Sequence, residues 1–347
     1  MSAPETDFVN DLMGSPVGVA TLAAAEASVR DDLASFDAPI DSDRGAVQRA
    51  AAGVAAMGPG EVLKLVLEAA SRFAGPWTSG APAHLAAAYE FSAARRIVAE
   101  SVADGIGELL HSPIAPARQE WWHSDRYLDP PYDRKFCDFS RVYGNGEFTW
   151  DGLWTVTDPP AEIHDSLIDA WELFPGPISR WRLPVREDAR IWTIDSPHDW
   201  ADLVKRYPRE APGPHSGWEL PGPNQHVGHI ERLLAAPGQQ AARAAVAGHV
   251  LPDWDLVRRG YDGVHLTWAG FITTEGRVVE LDDGFVTMLR YWASERTLWL
   301  DDVFLEPEPL SAPDLSGRVN GDLGVSSHDD VPRQCRDLSV LTSLLGR

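Results

Sequence analysis

The chain has 347 residues, of which 44% are hydrophobic, so either two packed units or one large unit with a sizeable core is expected. Its formal net charge is −22 and it has no basic block, which disfavours nucleic-acid binding, because that needs several Lys or Arg to neutralise phosphates. The sequence contains no run of about 18 apolar residues, so no membrane span is predicted.

The N-terminus lacks the basic and apolar regions of a secretory signal. The sequence contains two cysteines, Cys137 and Cys335, which lie far apart and favour a reduced compartment over a disulfide scaffold. We therefore expect a cytoplasmic protein. The acidic charge indicates solubility first and a basic protein partner second.

The first third of the chain is predicted to be helical. Residues 1–20 have the character of a loose leader. Apolar residues at three- and four-residue spacing then predict helices over 21–36, 45–57, 59–70 and 81–102, with Pro59 in a first turn. Residues 1–115 are thus expected to form a helical domain, a cap or bundle without a chemical motif.

The composition changes near Ile114. Residues 116–145 are aromatic, charged and broken by prolines, which indicates a linker or ordered loop. Of the 14 tryptophans, 13 lie between Trp121 and Trp299, a crowding typical of a β-rich core. The predicted fold class is α+β, with the helical cap followed over 146–305 by a mixed, largely antiparallel domain with short flanking helices. Residues 306–347 are predicted to be an irregular tail with a short helix.

Within the second domain, strands are predicted over 147–156, 190–194 and 297–305. Ser196 as N-cap followed by Pro197 is the clearest helix start in the chain. Residues 285–292 fit helical spacing, although Val286 and Thr287 keep a strand possible.

The stretch from Asp253 to Trp268 predicts one short helix leading into one strand. Asp253 can cap the helix, and Gly260 occupies the place of a left-handed C-terminal cap. After it, Val264, Leu266 and Trp268 are expected on one face, with Gly263, His265 and Thr267 on the other. A polar His-Thr row on a strand with an apolar back indicates a candidate site.

Metal and nucleophile motifs are weak. His215, His226 and His229 could ligate a metal, but their proline-rich surroundings argue against a rigid site. Cys137 has no sign of activation. The sequence contains no HExxH, paired CxxC, GxSxG, P-loop lysine or GxGxxG motif, so a Rossmann-type dinucleotide fold is not supported.

Three pieces resemble bacterial and phage proteins of the ADP-ribosyltransferase-like kind. They are DGLWTVT at 151–157, RIWTIDSPHDWADLVKRYP at 190–208, and DWDLVRRGYDGVHLT from Asp253 with the closing TLWL at 297–300. The resemblance covers about residues 145–305. It implies a split, mixed sheet that grips NAD, and cleavage of the nicotinamide–ribose bond with transfer of ADP-ribose to an unknown protein acceptor or to water.

The resemblance also implies site residues. Trp154 and Thr155 would hold the nicotinamide side, with Arg190 and Thr267 as further nucleotide-binding residues. His265 or Tyr261 would face Trp154 across a crevice between neighbouring strands. The cation formed in the reaction needs a carboxylate, and Glu275 is the candidate carried forward, with Asp301 and Glu306 as the other choices.

Two alternatives stay open. The first is a non-catalytic, acidic interaction protein, resembling an immunity protein or antitoxin, that meets a basic partner. The second is a metal enzyme that uses the three histidines of residues 215–229.

Overall fold

A computed structural model describes residues 3–29, 44–74, 95–124, 153–171, 177–210, 250–282, 285–289 and 292–314. These residues contain nine α-helices and eleven strands, seven of which form one mixed sheet, so the predicted α+β class is confirmed. Residues 1–313 form one compact unit, and the predicted boundary near residue 115 falls inside it. The second unit, Asp314–Arg347, lies outside the described residues apart from Asp314.

Five helices form the N-terminal part: α1 (Ala3–Gly14), α2 (Pro16–Ser28), α3 (Arg44–Ala55), α4 (Pro59–Ala74) and α5 (Arg96–Ile106). The predicted loose leader is wrong, because Leu12, Val17 and Val19 are fully buried. Ser15 begins α2 by accepting a hydrogen bond from the Gly18 amide at 3.0 Å. The starts predicted for α3 and α4 are confirmed, whereas residues 30–43 and 75–94 lie outside the described part of the chain.

The large sheet has the order β11-β3-β1-β2-β10-β7-β4. Its strands are β1 (Gln119–Ser124), β2 (Leu153–Thr157), β3 (Ile178–Arg182), β4 (Ile191–Ile194), β7 (Gly263–Leu266), β10 (Arg296–Trp299) and β11 (Glu308–Leu310). All pairs are antiparallel except β4 with β7. Two small sheets pair β5 (Pro208–Glu210) with β6 (Val250–Pro252), and β8 (Val278–Glu280) with β9 (Val286–Met288).

Three expectations are corrected by these strands. Residues 119–124, predicted within a linker, form an inner strand that buries Trp121 and Trp122. Residues 308–310, predicted within an irregular tail, pair with β3. Residues 286–288 are a strand, because Val286 and Met288 pair with β8 and the β-branched residues favour that conformation over the helical spacing.

The four remaining helices are α6 (His164–Ala170), α7 (Pro197–Arg206), α8 (Trp254–Gly260) and α9 (Trp268–Thr274). The N-caps predicted at Ser196 and Asp253 are confirmed by hydrogen bonds from the amides of Asp199 and Leu256. Gly260 is not a left-handed cap, since the helix includes it. A Cβ there would lie 2.7 Å from the Tyr207 hydroxyl, so a larger residue would displace that side chain.

The two faces of the large sheet carry different residues. Val156, Val264, Leu266 and Leu298 lie on the face that packs against the helices, which we call the helix-side face. Leu153 and Trp299 lie on the other face, called the far face, where they form a smaller apolar cluster with Trp121 and Leu183. A Cβ at Gly263 would lie 2.9 Å from the Trp299 ring, so this glycine makes room for the indole.

We expect Gly270→Ala to destabilise the fold, because its Cβ would collide with the backbone carbonyl of Ile194 and lie 2.9 Å from Leu266. Overpacking of this kind costs about 1–3 kcal/mol of unfolding free energy. Chemical denaturation measures the loss. Gly14→Ala is the matched control, since nothing lies within 4 Å of a Cβ there; equal stability of the two variants would contradict the packing of α9 against β4.

Candidate functional site

The predicted facing pair, Trp154 and His265, lies on opposite faces of the sheet. Strand β10 lies between β2 and β7, so the two residues are not on neighbouring strands. Leu298 of β10 is in register with Trp154 and Val264, whereas Thr297 is in register with Thr155 and His265. Residues directly opposite each other project to the same side of a sheet. The predicted crevice between Trp154 and His265 is therefore wrong.

The far face instead carries a row of polar side chains that runs across four strands: Thr193, His265, Thr297 and Thr155, which we call the polar row. Thr193 is exposed at the sheet edge, and the other three are buried. Nδ1 of His265 lies 3.0 Å from the Thr297 hydroxyl. The Thr155 hydroxyl donates to Gln119 Oε1 at 2.6 Å and accepts from the Trp299 indole at 2.8 Å.

Glu295 adjoins the polar row. It lies two residues before Thr297 and therefore projects to the same face. Its Oε2 accepts a hydrogen bond from the Thr157 amide at 3.1 Å, and its Oε1 lies 3.7 Å from His265 Nδ1. Ala293, two residues before Glu295, has a φ of 63°, in the left-handed region that non-glycine residues rarely adopt. Such strain concentrates at functional sites.

Burial shifts both titrating groups toward their neutral forms. It raises the pKa of Glu295 to about 7, although hydrogen bonds from Thr157 and the charge of Arg296 act in the opposite direction. It also lowers the pKa of His265 to about 4, against the effects of the Ser112 backbone and the Asp195 carboxylate. Among the described residues, neither His265 Nε2 nor Glu295 Oε1 has a hydrogen-bond partner. Near neutral pH His265 is therefore uncharged, while Glu295 converts between its neutral and ionised forms.

Residues 111–115, between α5 and β1, lie next to the polar row. His111 Nδ1 lies 2.6 Å from Asp195 Oδ2, and the Ala115 carbonyl accepts from Gln119 Nε2 at 3.2 Å. Thr267, a predicted nucleotide-binding residue, donates to Asp195 Oδ1 at 2.6 Å and caps α9, so it is no longer part of the strand. His111 and Asp195 are exposed, which brings the polar row close to solvent at the β4 edge.

Two further predicted residues lie away from the polar row. Tyr261 packs edge-on against Trp192, with ring centroids 5.3 Å apart, and its hydroxyl accepts from Arg206 at 3.3 Å. Arg190 is paired with Asp262 at 2.8 Å, where its hydrogen bonds and charge outweigh burial and lower the pKa of that carboxyl. Both contacts stabilise the junction between α8 and β7.

Glu275 and Trp154 are close to each other on the helix-side face. Glu275 is buried, and its Oε2 accepts from the Trp292 amide at 3.4 Å. The rings of Trp292 and Trp154 are edge-on at 4.9 Å. The predicted site residues are therefore divided: Trp154 with Glu275 on one face, Thr155 with His265 on the other.

Glu295 was missed from sequence, although a signal for it exists. It directly precedes the closing TLWL strand, and counting back by two from Thr297 assigns it to the face of the polar row. Asp301 and Glu306, the other choices for the carboxylate, are exposed in the turn after β10. The polar row therefore adjoins Glu295, a carboxylate that was not among the three predicted choices.

The metal hypothesis cannot be placed, since His215, His226 and His229 all lie outside the described residues. Cys137 and Cys335 lie outside them as well. Within the described part, no group of three or more His, Cys, Asp or Glu side chains could hold a metal ion. None of the helices in that part is long and apolar enough to cross a membrane.

Comparison with known proteins identifies no matching protein family, no matching curated protein and no matching solved structure.

We expect Glu295→Gln to stabilise the fold at neutral and alkaline pH. Because the folded-state pKa of about 7 lies above the ordinary 4.5, the unfolded chain ionises first, and Glu295 costs stability increasingly as pH rises from 4.5 to 7. The full shift corresponds to about 3 kcal/mol. Thermal unfolding at pH 5 and pH 8 measures the gain, which should appear mainly at pH 8; an equal effect at both values would contradict the raised pKa.

Proposed function

We propose that the protein cleaves the nicotinamide–ribose bond of NAD, with Glu295 as the carboxylate that the reaction requires. The observation that carries the proposal is that Glu295 lies 3.7 Å from His265 and accepts a hydrogen bond from the Thr157 amide, on the face that also carries Thr155. Thr155 and Thr157 belong to β2, His265 belongs to β7 and Glu295 directly precedes β10, and these three strands include the GLWT, YDGVHLT and TLWL pieces of the resemblance. This replaces Glu275 as the candidate carboxylate and leaves Trp154 outside the catalytic group.

The chemistry fits an ionised Glu295. As the bond between C1′ of the ribose and the nicotinamide nitrogen breaks, its electron pair leaves with nicotinamide and the ribose becomes an oxocarbenium-like cation. A fixed carboxylate stabilises that charge best where water is excluded. Water or a protein nucleophile then bonds to C1′ and releases a proton, which the carboxylate or His265 can accept. ADP-ribose, free or attached to an acceptor, is the product.

Substrate access requires movement near residues 111–115, because His265, Thr297 and Thr155 are buried. The contacts that hold this segment include the pair of His111 with Asp195, whose side chains are 46% and 39% exposed. Exposed ion pairs contribute about 0–1 kcal/mol, so their rupture is a small obstacle to opening. Closure over substrate would then exclude water from the carboxylate.

We expect the protein to release nicotinamide from NAD at a rate that rises with pH, is half-maximal near pH 7 and is constant above about pH 8, because the ionised carboxylate is the active form. Glu295→Gln should lower the rate about 10²–10³-fold, the usual effect of removing one charge-stabilising group. Chromatographic detection of nicotinamide, with and without cell extract as a source of acceptor, measures both.

The matched control is Glu280→Gln, which removes an exposed carboxylate on β8 and should leave the rate unchanged. If the wild-type protein releases no nicotinamide between pH 5 and pH 9, the proposal fails. If it does so and Glu295→Gln is fully active, a different group supplies the charge.

A second candidate function is that of an acidic interaction protein. Asp301, Asp302 and Glu306 are exposed and lie in the chain within four residues of Leu305, which is itself 51% exposed although large and apolar. An exposed apolar side chain on an acidic segment suits a partner surface with basic residues next to an apolar pocket.

The interaction function predicts capture of a basic protein by the immobilised chain, with strength that falls as salt rises. The variant Asp301→Asn/Asp302→Asn/Glu306→Gln should lose that capture, while Glu187→Gln/Asp188→Asn, which neutralises exposed acids elsewhere, should retain it. Capture that is equal for both variants, or unaffected by salt, would exclude this acidic surface as the binding site.

A further inference from the structure

Arg296 lies on the helix-side face between two indoles. Its guanidinium carbon is 4.0 Å from the centroid of the Trp171 ring and 5.8 Å from that of Trp154. All three residues are half-buried, and each keeps part of its surface exposed. The Trp171 indole is fixed by a hydrogen bond to the Ser294 hydroxyl at 3.0 Å. The arrangement is a cation held over one aromatic face at short distance, with a second face nearby.

The guanidinium has no anionic partner among the described residues. Its Nε is buried and has no hydrogen-bond partner among the described residues, and no carboxylate of that part of the chain lies within ion-pair distance of it. Burial lowers its pKa, while the charges of Glu275 and Glu295 act in the opposite direction from farther away. A buried Nε–H without an acceptor is costly, so this group of Arg296 calls for an explanation such as an ion or ligand.

Arg180 on the same face shows how the fold satisfies a similar arginine. Its guanidinium lies 4.8 Å from the Trp122 ring centroid, and it is paired with Glu120 at 2.7 Å. The Trp122 indole donates to the same carboxylate at 3.0 Å. Stacking on an indole and pairing with a carboxylate are therefore combined at Arg180. At Arg296 the stacking is present, but no carboxylate of the described segments pairs with the guanidinium.

We propose that Arg296, Trp171 and Trp154 form a binding site for an anionic group attached to a planar ring, in which the ligand supplies the carboxylate or phosphate oxygens that Arg296 lacks. A stacked guanidinium keeps its in-plane N–H donors free, and these match two oxygens of such a group. The exposed parts of the indoles provide a flat surface for the ring. This site is on the face opposite Glu295, so it does not depend on the proposed NAD cleavage.

The test is titration of the full chain with adenosine 5′-monophosphate, followed by tryptophan fluorescence and by the shift in melting temperature. Adenosine alone, inorganic phosphate alone and benzoate are the comparison probes. We expect the monophosphate to quench fluorescence and raise the melting temperature, with adenosine and phosphate at least 10-fold weaker. Benzoate binding as tightly as the monophosphate would identify a carboxylate as the preferred anion and still support the site.

Two variants separate binding from folding. Arg296→Gln should lose at least 10-fold in affinity for the monophosphate without a lower melting temperature, because it removes a half-buried cation that has no carboxylate partner among the described residues. Arg180→Gln should lower the melting temperature, since it removes the cation paired with the buried Glu120 carboxylate, and should retain binding. Arg296→Lys, which keeps the charge without the planar fork, should also bind more weakly.

Three results would overturn the inference: no quenching by either the monophosphate or benzoate, the same affinity in Arg296→Gln as in the wild type, or phosphate alone binding as tightly as the ring-bearing probes. The first shows that the site takes no such ligand, the second that Arg296 is not its anchor, and the third that the indoles contribute nothing to recognition.

Discussion

The alternation of side chains along β10 is the constraint on which both candidate sites depend. This strand lies between β2 and β7 and pairs with each of them, so its two faces determine which residues of the neighbouring strands can meet. Thr297 brings Thr155 and His265 together on the far face, and Leu298 brings Trp154 and Val264 together on the helix-side face. The same period of two sends Glu295 and Arg296 in opposite directions.

The four residues from Ala293 to Arg296 concentrate features that reduce stability. Ala293 has a positive φ, Glu295 is a buried carboxyl with a raised pKa, and Arg296 is a half-buried cation without a partner among the described residues. A fold selected for stability alone would replace at least one of them with an apolar residue. Natural proteins retain such local conflicts mainly where function requires them.

Local signals in the sequence were sufficient to predict the helices that begin at an N-cap. The N-caps at Ser196 and Asp253 follow from a side chain that accepts a hydrogen bond from an amide three residues later, which depends on neighbouring residues alone. The strand at 191–194 likewise follows from its own residues. The strands β1 and β11 were missed, and β9 was left open between helix and strand, because three to six residues carry little periodic signal and pairing with other strands decides their conformation.

The candidate site was predicted in part. Alternation within one strand correctly separated His265 from Val264 and Leu266, and it already separates Thr155 from its neighbour Trp154. The separation of His265 from Trp154 required the strand order, because the insertion of β10 between β2 and β7 involves residues about 140 and 30 positions apart in the chain. Trp154 and Thr155 are therefore neighbours in the chain but belong to different sites: Trp154 to the site at Arg296, and Thr155 to the polar row. Once the strand order is known, alternation along β10 assigns Glu295 to the far face and Arg296 to the helix-side face, because the two residues are adjacent at the start of that strand.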